Sequence, residues 1–465
     1  MTNYFLESKL NEECGVFGVF NHKDASGFSY YGLHALQHRG QEACGIASSD
    51  GISVFNHKNK GLVTEVFNNT NLKKLKGYNS IGHVRYSTYG KNEIENIQPL
   101  MVRAHTGHFA VVHNGQIVNA KELKVYLEKT GSIFQGTSDS EIIVHLIQRE
   151  KGNMIEKISK ACQQLEGSFA FIILTKDCMY AIRDKNGLRP LTIAKLGSGY
   201  CISSETCAFE VVGAEILKDI EPGQIAIFRE NQEIEYRYYT KDTQHRMCAM
   251  EYIYFARPDS VIEGINVHAT RRKTGVLLAQ NDDVKADIVI GVPDSSISAA
   301  MGYAEASGIP YEMGLLKNRY VGRTFIQPSQ ELRENGVKMK LSTISAVVKG
   351  KNIVLVDDSI VRGTTSKRIV RLLKEAGANE IHVRIASPRI IAPCFYGVDI
   401  STIDELIAAK KNNEELKEFI EADSLKFLEV SEIKSCISNN LCLACFNREY
   451  IGDIFSLKDK LKGAK

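Results

Sequence analysis

At 465 residues the chain is long enough for about three domains or two large ones, each able to bury its own core. With 43% hydrophobic residues, 24% charged residues and a net charge of +3, its composition is that of a soluble globular protein and gives no electrostatic case for nucleic acid or an anionic membrane as partner. No apolar run reaches membrane-spanning length, and MTNYFLESKLNEE at the start lacks the apolar core of a signal peptide, so a cytoplasmic protein is expected.

The eleven cysteines are odd in number, and most lie in apolar periodic segments, as Cys162, Cys178 and Cys201 do. That excludes the disulfide framework of a secreted protein. In chain order the first to consider is Cys14, which opens the glycine-punctuated apolar strand Cys14-Gly15-Val16-Phe17-Gly18 after a polar leader. Alone it reads as a buried structural cysteine. Four motifs downstream reverse that reading: Leu36-Gln37-His38-Arg39-Gly40-Gln41-Glu42, Gly82-His83-Val84-Arg85-Tyr86-Ser87-Thr88, His113-Asn114-Gly115 and Thr137-Ser138-Asp139-Ser140-Glu141.

Together with Cys14 these motifs resemble the glutaminase domain of the class II, or N-terminal nucleophile, amidotransferases. The resemblance implies that Cys14 becomes the first residue of the mature chain, with its own α-amino group as base. An α-amine titrates near about 8 and a thiol near about 8.5, so a proton passes easily between them at neutral pH. Here residues 1–13 come first, which implies a propeptide, removed by self-cleavage between Glu13 and Cys14 of an inactive precursor. The resemblance gives Arg85 the glutamine α-carboxylate, and it gives Asp139, expected to open a helix with Ser138-to-Glu141 capping-box spacing, the α-ammonium. Asn114 and the Gly115 N–H match the oxyanion hole. From the residues alone, Asn114-Gly115 between apolar runs also reads as a hairpin turn, and a turn is a good place to present a backbone donor.

Helices are expected at 119–129, 138–149 and 154–166, and the short apolar runs from Ser168 to Phe228 read as antiparallel strands. With the resemblance they fit a four-layer αββα sandwich. Pro222-Gly223 marks a late turn, and polar Glu230 to His245 reads as the link out, which places a glutaminase domain at 14–245 and a second domain at 246–465.

In the second domain, Ala286 to Val292 reads as a strand leading into Pro293-Asp294-Ser295-Ser296 and an alanine-rich helix ending at Gly308. Further strands are expected at Ile309 to Leu316, Ile353 to Val356 and Ile381 to Ser387, and alternation with helices argues for a parallel sheet. Lys317 to Ser342, with Lys317, Arg319, Arg323, Arg333, Lys338 and Lys340, is a long basic loop of the kind that is functional or disordered.

The stretch NIVLVDDSIVRGTTS, Asn352 to Ser366, is the most informative. A buried strand runs into two carboxylates and a Gly-Thr-Thr-Ser turn. The following helix is expected to enter through Thr364 or Thr365, to show apolar Ile369, Val370, Leu372, Leu373 and Ala376 on a 3.6-residue period, and to stop at Gly377. A helix N-terminus with small hydroxyl residues suits a phosphate, and adjacent acids at the carboxyl end of a strand call for a cation or hydroxyls. The motif resembles the phosphoribosyl pyrophosphate loop of type I phosphoribosyltransferases. That implies Asp357 and Asp358 on the ribose hydroxyls or their Mg2+, Ser359, Val361, Arg362, Gly363, Thr364, Thr365 and Ser366 as the substrate loop, and Ser295 assisting the Mg2+ site. The basic loop matches the lid over the pyrophosphate.

Near the end, Cys442-Leu443-Ala444-Cys445 is a metal or redox pair in search of partners, and spacing alone does not choose among Cys248, Cys394 and Cys436. The two halves together resemble the glutamine phosphoribosylpyrophosphate amidotransferase family over nearly the whole chain. Its iron-sulfur, propeptide-containing subgroup implies a structural [4Fe-4S] cluster on Cys248, Cys394, Cys442 and Cys445; four thiolates could equally hold zinc.

The fold implied is an α+β N-terminal nucleophile αββα sandwich followed by a type I phosphoribosyltransferase α/β domain. The activity implied is that of a glycosyltransferase, specifically a pentosyltransferase: ammonia from glutamine joins C1 of phosphoribosyl pyrophosphate, giving phosphoribosylamine, glutamate and pyrophosphate in the committing step of purine synthesis. A homotetramer inhibited by purine nucleotides is implied as well. The competing readings are another class II amidotransferase and a non-catalytic phosphoribosyl pyrophosphate-binding regulator.

Overall fold

The computed structural model describes residues 14–86, 93–104, 107–318, 341–400 and 402–452. The leader 1–13, and Arg319, Arg323, Arg333, Lys338 and Lys340 of the basic loop, lie outside the described residues.

The first half contains two antiparallel sheets. The strands in chain order are β1 (Gly15–Phe20), β2 (Ala43–Ser49), β3 (Val54–Lys60), β4 (Asn79–Arg85), β5 (Leu100–Ala104), β6 (Gly107–Ile117), β7 (Gly167–Thr175), β8 (Cys178–Arg183), β9 (Thr192–Leu196), β10 (Gly199–Ser203), β11 (Glu215–Asp219), β12 (Gln224–Arg229) and β13 (Glu235–Tyr238). One sheet runs β11-β9-β10-β1-β4-β2-β3 and the other β13-β12-β8-β7-β6-β5. The helices α1 (Ala25–Ala35), α2 (Val63–Val66), α3 (Asn69–Leu72), α4 (Ala120–Lys129), α5 (Glu141–Arg149), α6 (Met154–Gln163) and α7 (Cys207–Val212) complete the half.

The layering follows from side-chain alternation along buried strands. Val16 and Phe20 of β1 face Ala110 and Val112 of β6 and Ala170 and Ile172 of β7 between the sheets. Phe17 and Val19 point the other way, to Leu33 of α1 and Phe209 of α7, while Val111 and Phe171 meet Ile142 of α5 and Ile158 of α6. Because both faces of each central strand are covered, the sequence shows apolar runs rather than clean alternation. The αββα expectation is met. Two details differ. Glu235–Tyr238 is a strand on β12, so the link out of the sandwich is shorter than 230–245. The segment at 138–140 precedes α5 rather than opening it, because the Glu141 carboxylate accepts the Gln135 and Gly136 N–H groups, leaving no capping box with Ser138.

In the second half, β14 (Met247–Cys248) and the hairpin pair β15 (Val261–Ile262) and β16 (Ile265–Asn266) precede the helix α8 (Val267–Gln280). Then come β17 (Ile288–Gly291), α9 (Ile297–Ser307), β18 (Leu315–Lys317), β19 (Leu341–Thr343), β20 (Asn352–Asp357), β21 (Glu380–Ile385), β22 (Ser424–Phe427) and β23 (Leu441–Cys442). The parallel sheet is β17-β20-β21-β22. Val289, Val354 and Val356 face the layer containing α8 and α9, and Ile290, Ile353 and Leu355 face the helices Thr364–Glu375 and Asn413–Ile420.

Ile309 to Leu316 is not one strand. Tyr311 makes an isolated parallel bridge to Val289, and Leu315–Lys317 turns away to pair antiparallel with β19, which brings the two ends of the basic loop side by side.

Helices α8 and α9 touch through glycines. A Cβ on Gly275 would lie 1.8 Å from the Ala299 carbonyl oxygen, and one on Gly302 would lie 2.0 Å from the Arg272 carbonyl oxygen. The obstacle is backbone in both cases. Gly275→Ala or Gly302→Ala is therefore expected to lower stability by about 2 kcal/mol or more, read as an earlier denaturant midpoint at unchanged slope; a midpoint equal to the parent's would mean the helices can separate freely.

Candidate active sites

Cys14 sits just before β1, partly exposed, with its thiol donating to the Tyr86 carbonyl oxygen at 3.5 Å. The register Gly15 to Val84 between β1 and β4 brings Cys14 beside Arg85, the last residue of β4. Arg39 Nε donates to the Cys14 carbonyl oxygen at 3.2 Å, and Gly40 lies so close to the Arg85 backbone that a Cβ would meet its N and C atoms at 2.6 Å. The segment Gln37 to Gly40 thus braces both Cys14 and Arg85.

Asn114 and Gly115 are not in a turn. They lie within β6, opposite Ala170 and Phe169 of β7, so the hairpin reading is overturned; the long strand continues through the Asn-Gly pair because β7 supplies its partners. Gly115 has φ +145°, and a Cβ there would fall 2.2 Å from the Ser168 carbonyl oxygen. Ser204 Oγ accepts the Val16 N–H at 3.0 Å and the Asn114 Nδ2 N–H at 3.3 Å, while buried Asn114 Oδ1 has no partner among the described residues. Asn114 Nδ2 is an amide donor with two N–H bonds, of which the Ser204 contact uses one. An amide donor beside Cys14 is the kind of group a developing oxyanion requires.

Asp139 Oδ2 accepts the Ile117 N–H at 2.8 Å, with the Ser138 and Ser140 hydroxyls 3.5 and 3.4 Å from Oδ1. Behind the site His83 Nε2 meets the His113 carbonyl oxygen and His113 Nδ1 meets Ser140 Oγ. Burial, with Arg85 adding to it, pulls His83 down to about 3, so this imidazole is neutral and joins the strands rather than carrying charge.

Beneath Arg39 lies a buried ion cluster. Its Nη1 donates to Glu205 Oε1 at 2.6 Å and to Glu251 Oε2 at 2.9 Å, its Nη2 to Glu251 Oε1 at 2.8 Å, and Arg189 Nη1 reaches Glu251 Oε1 at 3.3 Å. Burial alone would raise both carboxyls; His38 and Arg39 at Glu205, and Arg39 and Arg189 at Glu251, overcome it and hold both below the usual carboxylate range. Ser204, Glu205 and Glu251 were not singled out from sequence. Local patterning has no signal for partners 166 to 212 residues apart.

The second site stands at the carboxyl ends of β17 and β20. Asp357, the last residue of β20, accepts from Ser296 Oγ at 3.1 Å and from the Asp358 N–H at 3.0 Å. Asp358 accepts from Ser359 Oγ at 2.7 Å and from Ser295 Oγ. Gly363, φ +73°, caps the helix Thr364–Glu375, in a left-handed conformation that favours glycine, and a Cβ there would sit tightly at 3.1 Å from Phe419 and 3.2 Å from Ile407. The helix begins at Thr364, and Gly377 with φ +92° follows its C-cap, as expected. Ser366 is buried in the first turn, Val361 is tied through its carbonyl to the Ile407 N–H, and Arg362 pairs with Glu405 at 2.9 Å. Lys317 pairs with Asp294.

A pocket lined by Tyr252, Arg271, Ser295, Ser296, Ala299 and Asp358 opens beside the acids. Arg271 was missed from sequence. Burial pulls it down to about 10, opposed by Asp358, so it remains a cation at neutral pH. Its signal was a basic residue on the buried face that α8 forms with Val267, Thr274 and Leu278.

The four chosen cysteines are brought together. β14 and β23 pair in parallel with Cys248 opposite Cys442; burial and the neighbouring Cys394, Cys248 and Cys442 push the Cys445 thiol well above its usual range. The Tyr396 N–H donates to Cys394 Sγ at 3.3 Å. Cys436 is buried near Lys273 and Glu432 instead. Among the described residues no group of His, Cys, Asp or Glu is closed into metal-ligand geometry, at the cysteines or at the acids. No helix among the described residues is long and apolar enough to cross a membrane.

A cysteine nucleophile strand in an αββα sandwich, joined to a parallel sheet ending in paired acids before a glycine-capped helix, defines a glutamine amidotransferase coupled to a phosphoribosyltransferase. Comparisons with known proteins agree. A family model for the glutamine amidotransferase domain matches residues 83–211 and one for the phosphoribosyl transferase domain matches residues 269–387. The amidophosphoribosyltransferase of Bacillus subtilis (strain 168) is 53% identical over 455 residues, 96% of this chain and 95% of that one, and that of Staphylococcus aureus (strain MRSA252) is 50% identical over 472 residues, 99% and 95%. A solved structure of the B. subtilis glutamine phosphoribosylpyrophosphate amidotransferase, complexed with ADP and GMP, superposes with a TM-score of 0.91 at 52% identity, covering 95% of this chain and 98% of that one. The chain belongs to the amidophosphoribosyltransferase family.

One consequence tests the strand geometry. If the Gly115 N–H serves the oxyanion as the resemblance implies, Gly115→Ala is expected to cut glutamine hydrolysis by roughly 10²-fold or more, with synthesis from added ammonia largely kept. Unchanged glutamine turnover would show that β6 can yield around a methyl group.

Proposed function

We propose that this chain divides its family's reaction, glutamine-dependent amidotransfer to phosphoribosyl pyrophosphate in purine biosynthesis, between Cys14 and the Asp357–Asp358 pair, with the domain boundary at residues 245–246. The observation that carries the reading is the presence of both sites in one chain, joined through buried side chains. Removal of residues 1–13 frees the Cys14 α-amine as base. The thiolate attacks the glutamine amide carbon, Arg85 and Asp139 grip the amino-acid end, and Asn114 with the Gly115 N–H takes the negative oxygen. The amine returns the proton to the leaving nitrogen, ammonia departs, and water hydrolyses the thioester to glutamate.

Ammonia released into water at neutral pH would mostly become ammonium, which has no lone pair to attack C1 of the ribose. The two sites therefore share a dry passage. At the acceptor, Ser359 to Ser366 cradle the 5′-phosphate, the pyrophosphate leaves under the basic loop, and Asp357 and Asp358 hold the ribose hydroxyls. Their buried oxygens with Ser295 suit a hard cation; Mg2+ held there would neutralise the departing pyrophosphate.

Four neighbouring thiols are the donor set that a [4Fe-4S] cluster takes once they draw in around it, and its contribution would be structural, tying the C-terminal segment to the start of the second domain. A homotetramer, a cytoplasmic location and inhibition by purine nucleotides are supported by the family resemblance, and for the last by the ADP and GMP of the B. subtilis structure. The alternatives, a non-catalytic regulator or another class II amidotransferase, find no support among these relatives.

Asp357→Ala or Asp358→Ala is expected to abolish phosphoribosylamine formation while leaving some glutamine hydrolysis; equal loss of both would mean the halves are more tightly coupled than proposed. Mass measurement of the mature protein is expected to find Cys14 at its start, and a chain still beginning at Met1 with full activity would sink the free-amine mechanism. Iron and acid-labile sulfide assays should find about four of each per chain. A colourless protein with stoichiometric zinc would overturn the cluster.

A further inference from the structure

We infer that Glu251, a residue of the second domain, is a positioning residue for glutamine hydrolysis in the first, acting through Arg39 on Cys14. The inference rests on the reading of Cys14 as nucleophile. Glu251 opens a single π-helical turn, Glu251–Phe255, just after β14. Its two carboxylate oxygens take both Nη atoms of Arg39 in a fork, at 2.9 and 2.8 Å. The third side of the same guanidinium, Nε, donates to the Cys14 carbonyl oxygen at 3.2 Å.

A guanidinium is a rigid plane, so fixing two of its nitrogens fixes the direction of the third. Arg39 is 1% and Glu251 0% exposed, so water has no access to replace either partner. Arg39 is followed by Gly40, packed on the Arg85 backbone; a displaced Arg39 would disturb both the nucleophile and the residue assigned to the glutamine α-carboxylate. Misplacement of reacting groups by about 1 Å can cost roughly 10²-fold in rate. Glu251 itself touches neither site.

A purely structural ion pair makes a different prediction, because loss of folded protein lowers every activity in proportion. The test uses the full-length mature enzyme and compares glutamine hydrolysis with phosphoribosylamine synthesis from added ammonia, which bypasses Cys14. In Glu251→Gln, which keeps the side chain's size and removes its charge, synthesis from ammonia is expected to stay within about twofold. The kcat for glutamine is expected to fall about tenfold or more with KM moved less than about threefold. Arg39→Lys keeps the charge opposite Glu251 but loses the fork, and should show the same split; it carries the test should Glu251→Gln fail to fold. Proportional loss of both activities, or an unchanged glutamine kcat, overturns the inference. Cys14→Ser separates the premises: if that variant still hydrolyses glutamine, the nucleophile reading fails whatever Glu251 does.

Discussion

The structure turns on a four-residue charge cluster that excludes water. Arg39, Arg189 and Glu205 come from the first half of the chain and Glu251 from the second, and all four are nearly or fully buried. Two positive and two negative groups balance, and the carboxylates are supplied with further donors. Glu205 also accepts the Arg257 N–H at 2.9 Å and Ser260 Oγ–H at 2.8 Å, so each half presents a carboxylate to donors of the other. Against well-packed apolar residues such a cluster is close to neutral in stability, whereas losing one partner leaves an uncompensated charge and costs about 3–5 kcal/mol. Its contribution is therefore direction. Hydrophobic surfaces could join the halves at several angles; this set of forks accepts one.

That constraint matters because the two chemical sites make opposite demands on water. Hydrolysis of glutamine consumes it, and ammonia that meets it at neutral pH becomes ammonium, which cannot attack the ribose. A seam filled with paired charges and carbonyl-bound arginines satisfies most of its polar groups internally and draws little on solvent. Arg183 extends the pattern, donating to the Ile220 and Arg189 carbonyl oxygens and to Glu263 of the second half at 2.7 Å.

What sequence could reveal follows from the range of each interaction. The strand, acids, glycine and helix of 352–377 are one local unit, so this strand-to-helix turn, including the Gly377 stop, was legible in order. The αββα layering was legible only with the family resemblance, since apolar runs buried on both faces do not say which sheet they join. Asn114-Gly115 carried a strong local turn signal that the pairing of β6 with β7 overrode, and the Ser138-to-Glu141 spacing was overridden when Glu141 turned to the N–H groups of 135 and 136. Cys248 and Cys394 could not be separated from Cys436 by spacing. The distinction lies in the parallel register of β14 on β23, which joins residues nearly two hundred positions apart. Glu251 was invisible for the same reason: an acid in an apolar stretch declares itself costly to bury but does not name its partner.

The segment from Cys394 to Gly397 extends this logic to the other wall of the glutamine site. The Tyr396 carbonyl oxygen accepts from Ser168 Oγ at 2.6 Å and from Arg189 Nη2 at 2.5 Å, and Gly397, φ +101°, lies where a Cβ would be 3.4 Å from the Gly115 carbonyl carbon. Ser168 in turn accepts the Gln116 N–H at 3.0 Å. Cys394 begins the segment and the seat against Gly115 ends it, three residues later. Whatever holds the thiol therefore also holds the carbonyl that orients Ser168, and through it the strand carrying Asn114 and Gly115. Arg189 closes the loop by bonding both Tyr396 and Glu251, so the two walls of the first site are referred to one side chain. Seen this way, the second half of the chain is more than the recipient of ammonia: its backbone and one buried carboxylate form part of the frame in which ammonia is made.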